Sequence, residues 1–330
     1  MLAFILRRLA QALVVMLSVA FIAFMLFQYV GDPVASMLGQ DATAEQRQAL
    51  RVELGLDKPF PVQFARFVGN ALQGDFGLSL RQGRKVSTLI AERLPATLEL
   101  SIAAAVIALL VGIPLGVFAA LRRGTFSSQV AMTVSLLGVS LPTFLIGILL
   151  ILLFSVELQW LPAFGRGQVV DLGWWQTGFL TPSGRAALIM PATSLASFEI
   201  AFVMRLVTAE MLEALRSDYV KFAKARGLRD RSIHFRHALR NCLMPVITVV
   251  GMMIGDLIAF ALVTETVFQW PGMGFLFVQA VMFIDIPVMA AYLMVVALIF
   301  VTINTLVDLL YIVVDPRLRA QGGLGGTHGC

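Results

Sequence analysis

The side chains that most often carry chemistry are few in this sequence and poorly placed for it. His234 and His237 stand three residues apart in a basic stretch with no carboxylate at ligand spacing, and His328 lies near the end of the chain, so no zinc site is expected. Cys242 and Cys330 are far apart and no CxxC pair exists, which argues against a disulfide framework and against a thiolate metal site. No GxxxxGK[ST] loop occurs, so the chain cannot hold ATP through a P-loop of its own. No GxSxG nucleophile elbow occurs either. Asp75-Phe76-Gly77 spells the kinase metal motif, but no catalytic loop accompanies it, and it is read as chance. What remains is a pair of acids, Glu199 and Asp256, each inside an otherwise apolar run. A charge near the middle of a bilayer costs about 2.5–3.5 kcal/mol on the insertion scale unless it faces water or a partner. A water-filled path and a hydrogen-bonded structural contact are the two environments that could host them.

The elements that must position these acids follow from composition. Of 330 residues, 58% are hydrophobic and 14% charged, with a mean hydropathy of +0.86; a soluble domain carries about 25% charge. That excludes a soluble enzyme and a disordered chain. The apolar residues fall in long runs: 23 uncharged residues before Asp32, 22 between Glu99 and Arg122, 33 between Arg123 and Glu157, and 22 between Asp285 and Asp308. Leu188–Val207 and Leu243–Phe268 reach span length with one or two charges inside. A bilayer span needs about 20 apolar residues, so the expected fold is all-α, a polytopic membrane protein with six transmembrane helices. The first run is too long for a signal-peptide h-region and no A-x-A site directly follows it, so it is read as a span.

Orientation follows from Lys and Arg in the short loops. Arg7 and Arg8, the turn with Arg122 and Arg123, and the stretch Arg205–Arg240, with nine basic and four acidic residues, mark the cytoplasmic side. Both termini are then cytoplasmic. The net charge of +5 reports this topology, and no nucleic-acid partner is expected. The long outer loop should be a helical cap: Thr43 and Gln46 form a capping-box pattern before a helix that Gly55 would stop, and Pro61 can open a second helix to about Gly74. In the next outer loop Trp160, Trp174, Trp175 and Phe179 suit an interfacial aromatic belt against membrane lipid. Gly112 with Gly116, and Gly251 with Gly255, permit close helix approach.

One cytoplasmic stretch stands out. Ser217 can N-cap a helix that Gly227 closes by turning left-handed, giving a helix over Ser217–Arg226. On it Tyr219, Phe222 and Ala223 share a face while Lys221, Lys224 and Arg226 point away. Apolar residues projecting beyond the membrane need a cover, either a partner protein or this protein's own ends and the anionic lipid surface.

This stretch resembles the cytoplasmic loop of binding-protein-dependent ABC importer permeases, whose Glu-Ala-Ala, three residues, Gly pattern seats a coupling helix in a groove of the ATPase. Aligned on Gly227, the triplet falls on Lys221, Phe222 and Ala223, of which Ala223 matches; the later proline is Pro245. The departures are similar to the dipeptide/oligopeptide/nickel permease subfamily, in Ala223-Lys-Ala-Arg-Gly227-Leu228 and Arg236-His-Ala-Leu-Arg-Asn-Cys-Leu-Met-Pro245. The likeness extends to Ile5-Leu-Arg-Arg-Leu9, Gly31-Asp-Pro33, Leu54-Gly-Leu-Asp-Lys-Pro59, Gly74-Asp-Phe-Gly-Leu-Ser79, Trp160-Leu-Pro162, Trp270-Pro-Gly-Met-Gly274 and Val307-Asp-Leu-Leu-Tyr311 through Asp315-Pro316.

The resemblance implies a type I importer permease fold in the bacterial inner (plasma) membrane. The subunit would catalyse no bond chemistry and would need no cofactor, with ATP bound by separate partner subunits. Its partners would be a sister permease, two ATPase subunits and an extracytoplasmic substrate-binding protein that delivers a peptide. Tyr219, Phe222, Ala223, Gly227 and Leu228 would couple to the ATPases, and Glu199 and Asp256 are the candidates for the translocation path. The domain boundaries expected are a cytoplasmic N-terminus over 1–8, a first span over 9–30, an outer cap over 31–97, and a permease core over 98–319. The core contains the coupling loop at 208–243, and a flexible tail or expression remnant covers 320–330. An ion-coupled carrier using Glu199 and Asp256 is the alternative from another class. An inverted repeat would favour it, and the sequence shows none.

Overall fold

The computed structural model describes residues 2–29, 43–53, 57–173 and 175–314. Expectations resting on Gly31-Asp-Pro33, Leu54 to Leu56, Trp174, Asp315-Pro316, His328, Cys330 and the tail from 320 lie outside the described residues.

Helices dominate because apolar runs in lipid must satisfy their backbone groups internally. Leu6–Leu26, Val86–Leu121, Pro182–Arg216, Pro245–Val267 and Ile286–Val307 are each long and apolar enough to cross a membrane. The third apolar run differs from the expected continuous span. It forms two helices, Phe126–Ser140 and Thr143–Glu157, bent by 105°. Pro142 is the cause: it disfavours helical backbone at Leu141 and is itself extended, at φ −58° and ψ 138°. Counted as one broken span, the pair makes the sixth crossing.

The chain divides into two compact units. The first contains Met1–Pro95 and Pro271–Leu306. In it α1 (Leu2–Tyr29) meets α3 (Phe60–Leu72), a helix of the loop expected to form the cap, through Phe21 and Phe24 packed edge-on against Phe60 and Phe64. The cap is helical as expected. Between these two lies α2 (Ala44–Glu53), opened by a reciprocal capping box: the Thr43 N–H donates to Gln46 Oε1 at 3.0 Å and the Gln46 N–H to Thr43 Oγ1 at 3.3 Å.

The second unit, Ala96–Trp270 with Val307–Tyr311, holds the main core. Its frame is α4 (Val86–Leu121), α5 (Phe126–Ser140), α6 (Thr143–Leu150, continued as a π-helix over Ile151–Glu157), α7 (Pro182–Arg216) and α10 (Leu239–Val267). Leu100, Ala104, Ala108, Leu195, Val203, Val207, Met253 and Leu257 fill its centre. As the sequence anticipated, α4 and α7 approach closely at Gly112 and Gly116; a Cβ on Gly116 would lie 2.7 Å from the Met204 carbonyl oxygen. Gly251 serves the same purpose against Val307.

Candidate functional site: a connecting loop and two intramembrane carboxylates

The loop between α7 and α10 builds its own small core. Ser217 turns the chain into α8 (Asp218–Ala225) with extended backbone, φ −66° and ψ 155°. Its hydroxyl does not cap α8 as expected but donates to the Ala214 carbonyl. The last carbonyls of α7 are orphaned by the end of that helix and compete for the donor. The helix is accordingly shorter than the expected Ser217–Arg226.

The C-terminus of α8 forms as anticipated. Gly227 takes φ +76°, its N–H donates to the Lys224 carbonyl at 2.9 Å, and the Leu228 N–H donates to that of Ala223 at 3.3 Å, the pair of bonds that defines a Schellman stop.

The face expected to hold Tyr219, Phe222 and Ala223 is divided. Ala223 turns inward and packs with Val220 and Ile233, the last at the start of the π-helix Ile233–Ala238 that follows the short turn α9 (Asp230–Ser232). Tyr219, Phe222 and Leu228 stay exposed, Phe222 at 64%, with the Arg226 guanidinium 5.5 Å from the centre of the Phe222 ring. The inward set follows i, i+3 spacing from Val220, but its cover, Ile233, arrives only after two turns of chain. That is why helix periodicity alone chose the wrong neighbour for Ala223.

Glu199 on α7 is buried, at 7% exposure, and Asp256 on α10 is exposed. The residues flanking them, Ile200, Val203, Met253 and Leu257, belong to one core cluster. Neither forms a hydrogen bond or ion pair among the described residues. Of the two, Asp256 is the one open to its surroundings.

Three further buried carboxylates escaped the sequence reading, where Glu99 and Asp285 served only as ends of apolar runs and Glu265 was not noticed. Glu99 meets the guanidinium of Arg166, and the Gly178 N–H donates to the same carboxylate at 3.3 Å. Arg166 also donates to the Gln176 carbonyl at 2.6 Å, which ties the hairpin β1 (Val170–Asp171) and β2 (Gln176–Thr177) to α4. Nearby, Thr97 donates to Glu265 at 2.6 Å and the Trp270 indole N–H to the Ala96 carbonyl at 2.9 Å. In the other unit, Asp285 accepts from the Ser79 hydroxyl and from the Leu80 and Arg81 N–H groups. Ser79 and Trp270 lie inside quoted motifs, the only sequence signal that marked these places. Among the described residues no three His, Cys, Asp or Glu side chains gather at metal-binding distance.

Residues 112–320 match the family model of the binding-protein-dependent transport system inner membrane component, and residues 1–101 match the N-terminal model of the same membrane components. The chain belongs to this family. A putative peptide transport system permease of Brucella abortus is 41% identical over 97% of this chain and 99% of its own. The di/tripeptide transport system permease DppB of Pseudomonas aeruginosa is 40% identical, over 97% and 100%, and the dipeptide transport system permease DppB of Escherichia coli is 37% identical, over 97% and 99%. Among solved structures, an inward-facing MetNI methionine ABC transporter superposes with a TM-score of 0.55 at 16% identity, covering 69% of this chain and 96% of that one. That likeness carries the fold. Membership of the inner membrane component family decides between the two readings of the sequence: the chain is a permease subunit of a binding-protein-dependent importer, and nothing supports an ion-coupled carrier.

Proposed function

We propose that this permease carries di- or oligopeptides inward across the bacterial plasma membrane, paired with a sister permease, powered by two separate ATPase subunits and loaded by an extracytoplasmic binding protein. The ATP sits in those partner subunits, and both termini of this chain lie in the cytoplasm. The relatives named for peptide transport support the cargo class. The observation that carries the coupling role is the division of the α8 loop. Val220, Ala223 and Ile233 are already satisfied by one another, so Tyr219, Phe222 and Leu228 are left as an apolar face with no cover from the loop itself.

Aromatic side chains on a short, rigidly stopped helix are the kind of anchor that dominates protein interfaces, where truncation costs about 2–4 kcal/mol. Gly227 sets the angle of that anchor, because the Schellman bonds fix where the chain leaves α8.

The test is copurification. Phe222→Ala and Tyr219→Ala should leave membrane insertion and the sister permease untouched while the ATPase subunits are lost or recovered in reduced amount, with peptide uptake reduced in step. Full recovery of the ATPases with wild-type uptake in both variants would sink the coupling role of this face.

A further inference from the structure

Between Glu157 and Leu188 the basic residues are Arg166 and Arg185. Arg166 is neutralised by Glu99. Arg185 is exposed, and its guanidinium makes no hydrogen bond or ion pair among the described residues. It stands in the first turn of α7, at the helix end that carries partial positive charge. One turn later begins the apolar run Leu188–Val207, about 30 Å of helix and so the thickness of a bilayer's hydrocarbon core. Arg185 is therefore at headgroup level, on the membrane face opposite the α8 loop, which leaves the other end of the same helix.

Arg185 also lines a groove of about 280 Å³ between α4 and α7. Ile102 and Val106 form one wall, Ile189 and Ala192 the other, and Phe179 stands with Arg185 at the end nearest the β1–β2 hairpin. Every lining residue except Arg185 is apolar. From Arg185 to Ala192 the helix rises about 10 Å, so the groove runs from headgroup level into the hydrocarbon. On α4 the exposed side chains Ile102, Val106 and Leu110 follow at i, i+4 spacing, an apolar band continuous with the groove. Such a band suits a lipid tail. A peptide moving along it would find no partner for its backbone N–H and C=O groups.

We infer that this groove is a binding site for an anionic phospholipid, whose phosphate sits on Arg185 while one acyl chain lies between α4 and α7. A guanidinium offers phosphate paired N–H donors, and the α7 N-terminus adds to the local positive potential. A zwitterionic headgroup brings an ammonium into that same potential, so a lipid with net negative charge is preferred. The acyl chain contacts both helices along the groove and braces α4 against α7 at the end away from α8. In the topology proposed above the lipid belongs to the outer leaflet; the site itself depends on neither that topology nor the cargo.

The experiment uses the full chain with the subunits that copurify with it, reconstituted in liposomes that contain a trace of photoactivatable lipid. The probes are phosphatidylglycerol and phosphatidylcholine carrying the same diazirine-labelled acyl chain, and adducts are mapped by mass spectrometry as a share of the labelling of the whole chain. At Ile102, Val106 and Ile189, phosphatidylglycerol should label about fivefold more than phosphatidylcholine, the effect of one basic residue at a charged lipid surface. Arg185→Gln should abolish the preference and Arg185→Lys should retain most of it, since an ammonium also binds phosphate. Val106→Trp, which fills the groove from an exposed position, should lower labelling of Ile102 and Ile189 by both lipids. Equal labelling by the two lipids in the wild type overturns the inference, as does an undiminished preference in Arg185→Gln; either makes the lipid ordinary solvent for the helices. A groove left unlabelled by both lipids also overturns it, because a protein segment then covers the site. Should Arg185→Gln fail to assemble, the wild-type comparison and Val106→Trp decide.

Discussion

Arg166 and Glu99 meet 2.5 Å apart with 6% and 2% of their side-chain surfaces exposed, 67 residues apart in sequence. The pair closes the hairpin over the start of α4, and removing one partner leaves the other as a buried, unbalanced charge. Breaking such a pair costs about 3–5 kcal/mol, whereas replacing both members with apolar side chains of similar volume is close to neutral. Arg166→Met alone should therefore lower the unfolding temperature of the solubilised protein markedly, and Arg166→Met with Glu99→Met should recover most of the loss. A double variant no better than the single would show that the hydrogen bonds to Gln176 and Gly178 matter more than the charges.

At Gly227 the backbone, not the space around it, sets what is tolerated. A Cβ there meets nothing within 4 Å, but φ is +76°, a region that β-branched residues scarcely enter. Gly227→Val should disturb the exit from α8 and weaken ATPase recovery, while Gly227→Asn, which tolerates left-handed backbone, should retain most of it. Equal recovery of the ATPases with the two variants would mean that the Schellman geometry does not set the contact.

Thiol chemistry gives a third check. Burial, with a smaller push from the Glu210 carboxylate, raises the Cys242 thiol to about 11. Its sulfur is 3.7 Å from the Val207 carbonyl oxygen. The thiolate is the reactive form, so the group stays protonated and inert through pH 7 to 9. In a Cys330→Ser background, N-ethylmaleimide at pH 8 should leave the folded protein unlabelled and modify Cys242 once it is unfolded. Rapid labelling of the native protein would contradict the burial.

Some of these features were legible in the sequence and others were not, for reasons visible residue by residue. The capping box of Thr43 and Gln46 and the stop at Gly227 depend on residues within a turn of each other, and both formed as expected. The broken third span was hidden because counting uncharged residues from Arg123 to Glu157 gives Pro142 the same weight as Leu141. Ala223 was placed with the wrong face because its burial depends on Ile233, beyond the end of its own helix. The Glu99 and Arg166 contact could not be seen at all, since nothing local marks an arginine in a polar loop as the partner of a helix residue. Glu199 and Asp256 were conspicuous as charges in apolar runs, but the different exposure of each comes only from the packing of α7 on α10.

The proposed topology makes a fourth prediction. With the capped outer helix and the α8 loop on opposite sides, cysteines introduced as Gln48→Cys and Ser232→Cys should react with an impermeant maleimide from opposite faces of sealed cells and inverted vesicles. Labelling of both from outside would require a different number of crossings.

Asp285 imposes a schedule on synthesis. Ser79 and the N–H groups of Leu80 and Arg81 wait for a carboxylate made 206, 205 and 204 residues later, a delay of about 10–40 s at ordinary elongation rates of about 5–20 residues per second. Throughout that interval the nascent loop has no anion to gather its donors, so it closes only as the final helix is delivered. Resistance of this loop to protease is thus a timestamp on the growing chain, gained on completion and withheld from any product that stops before residue 285.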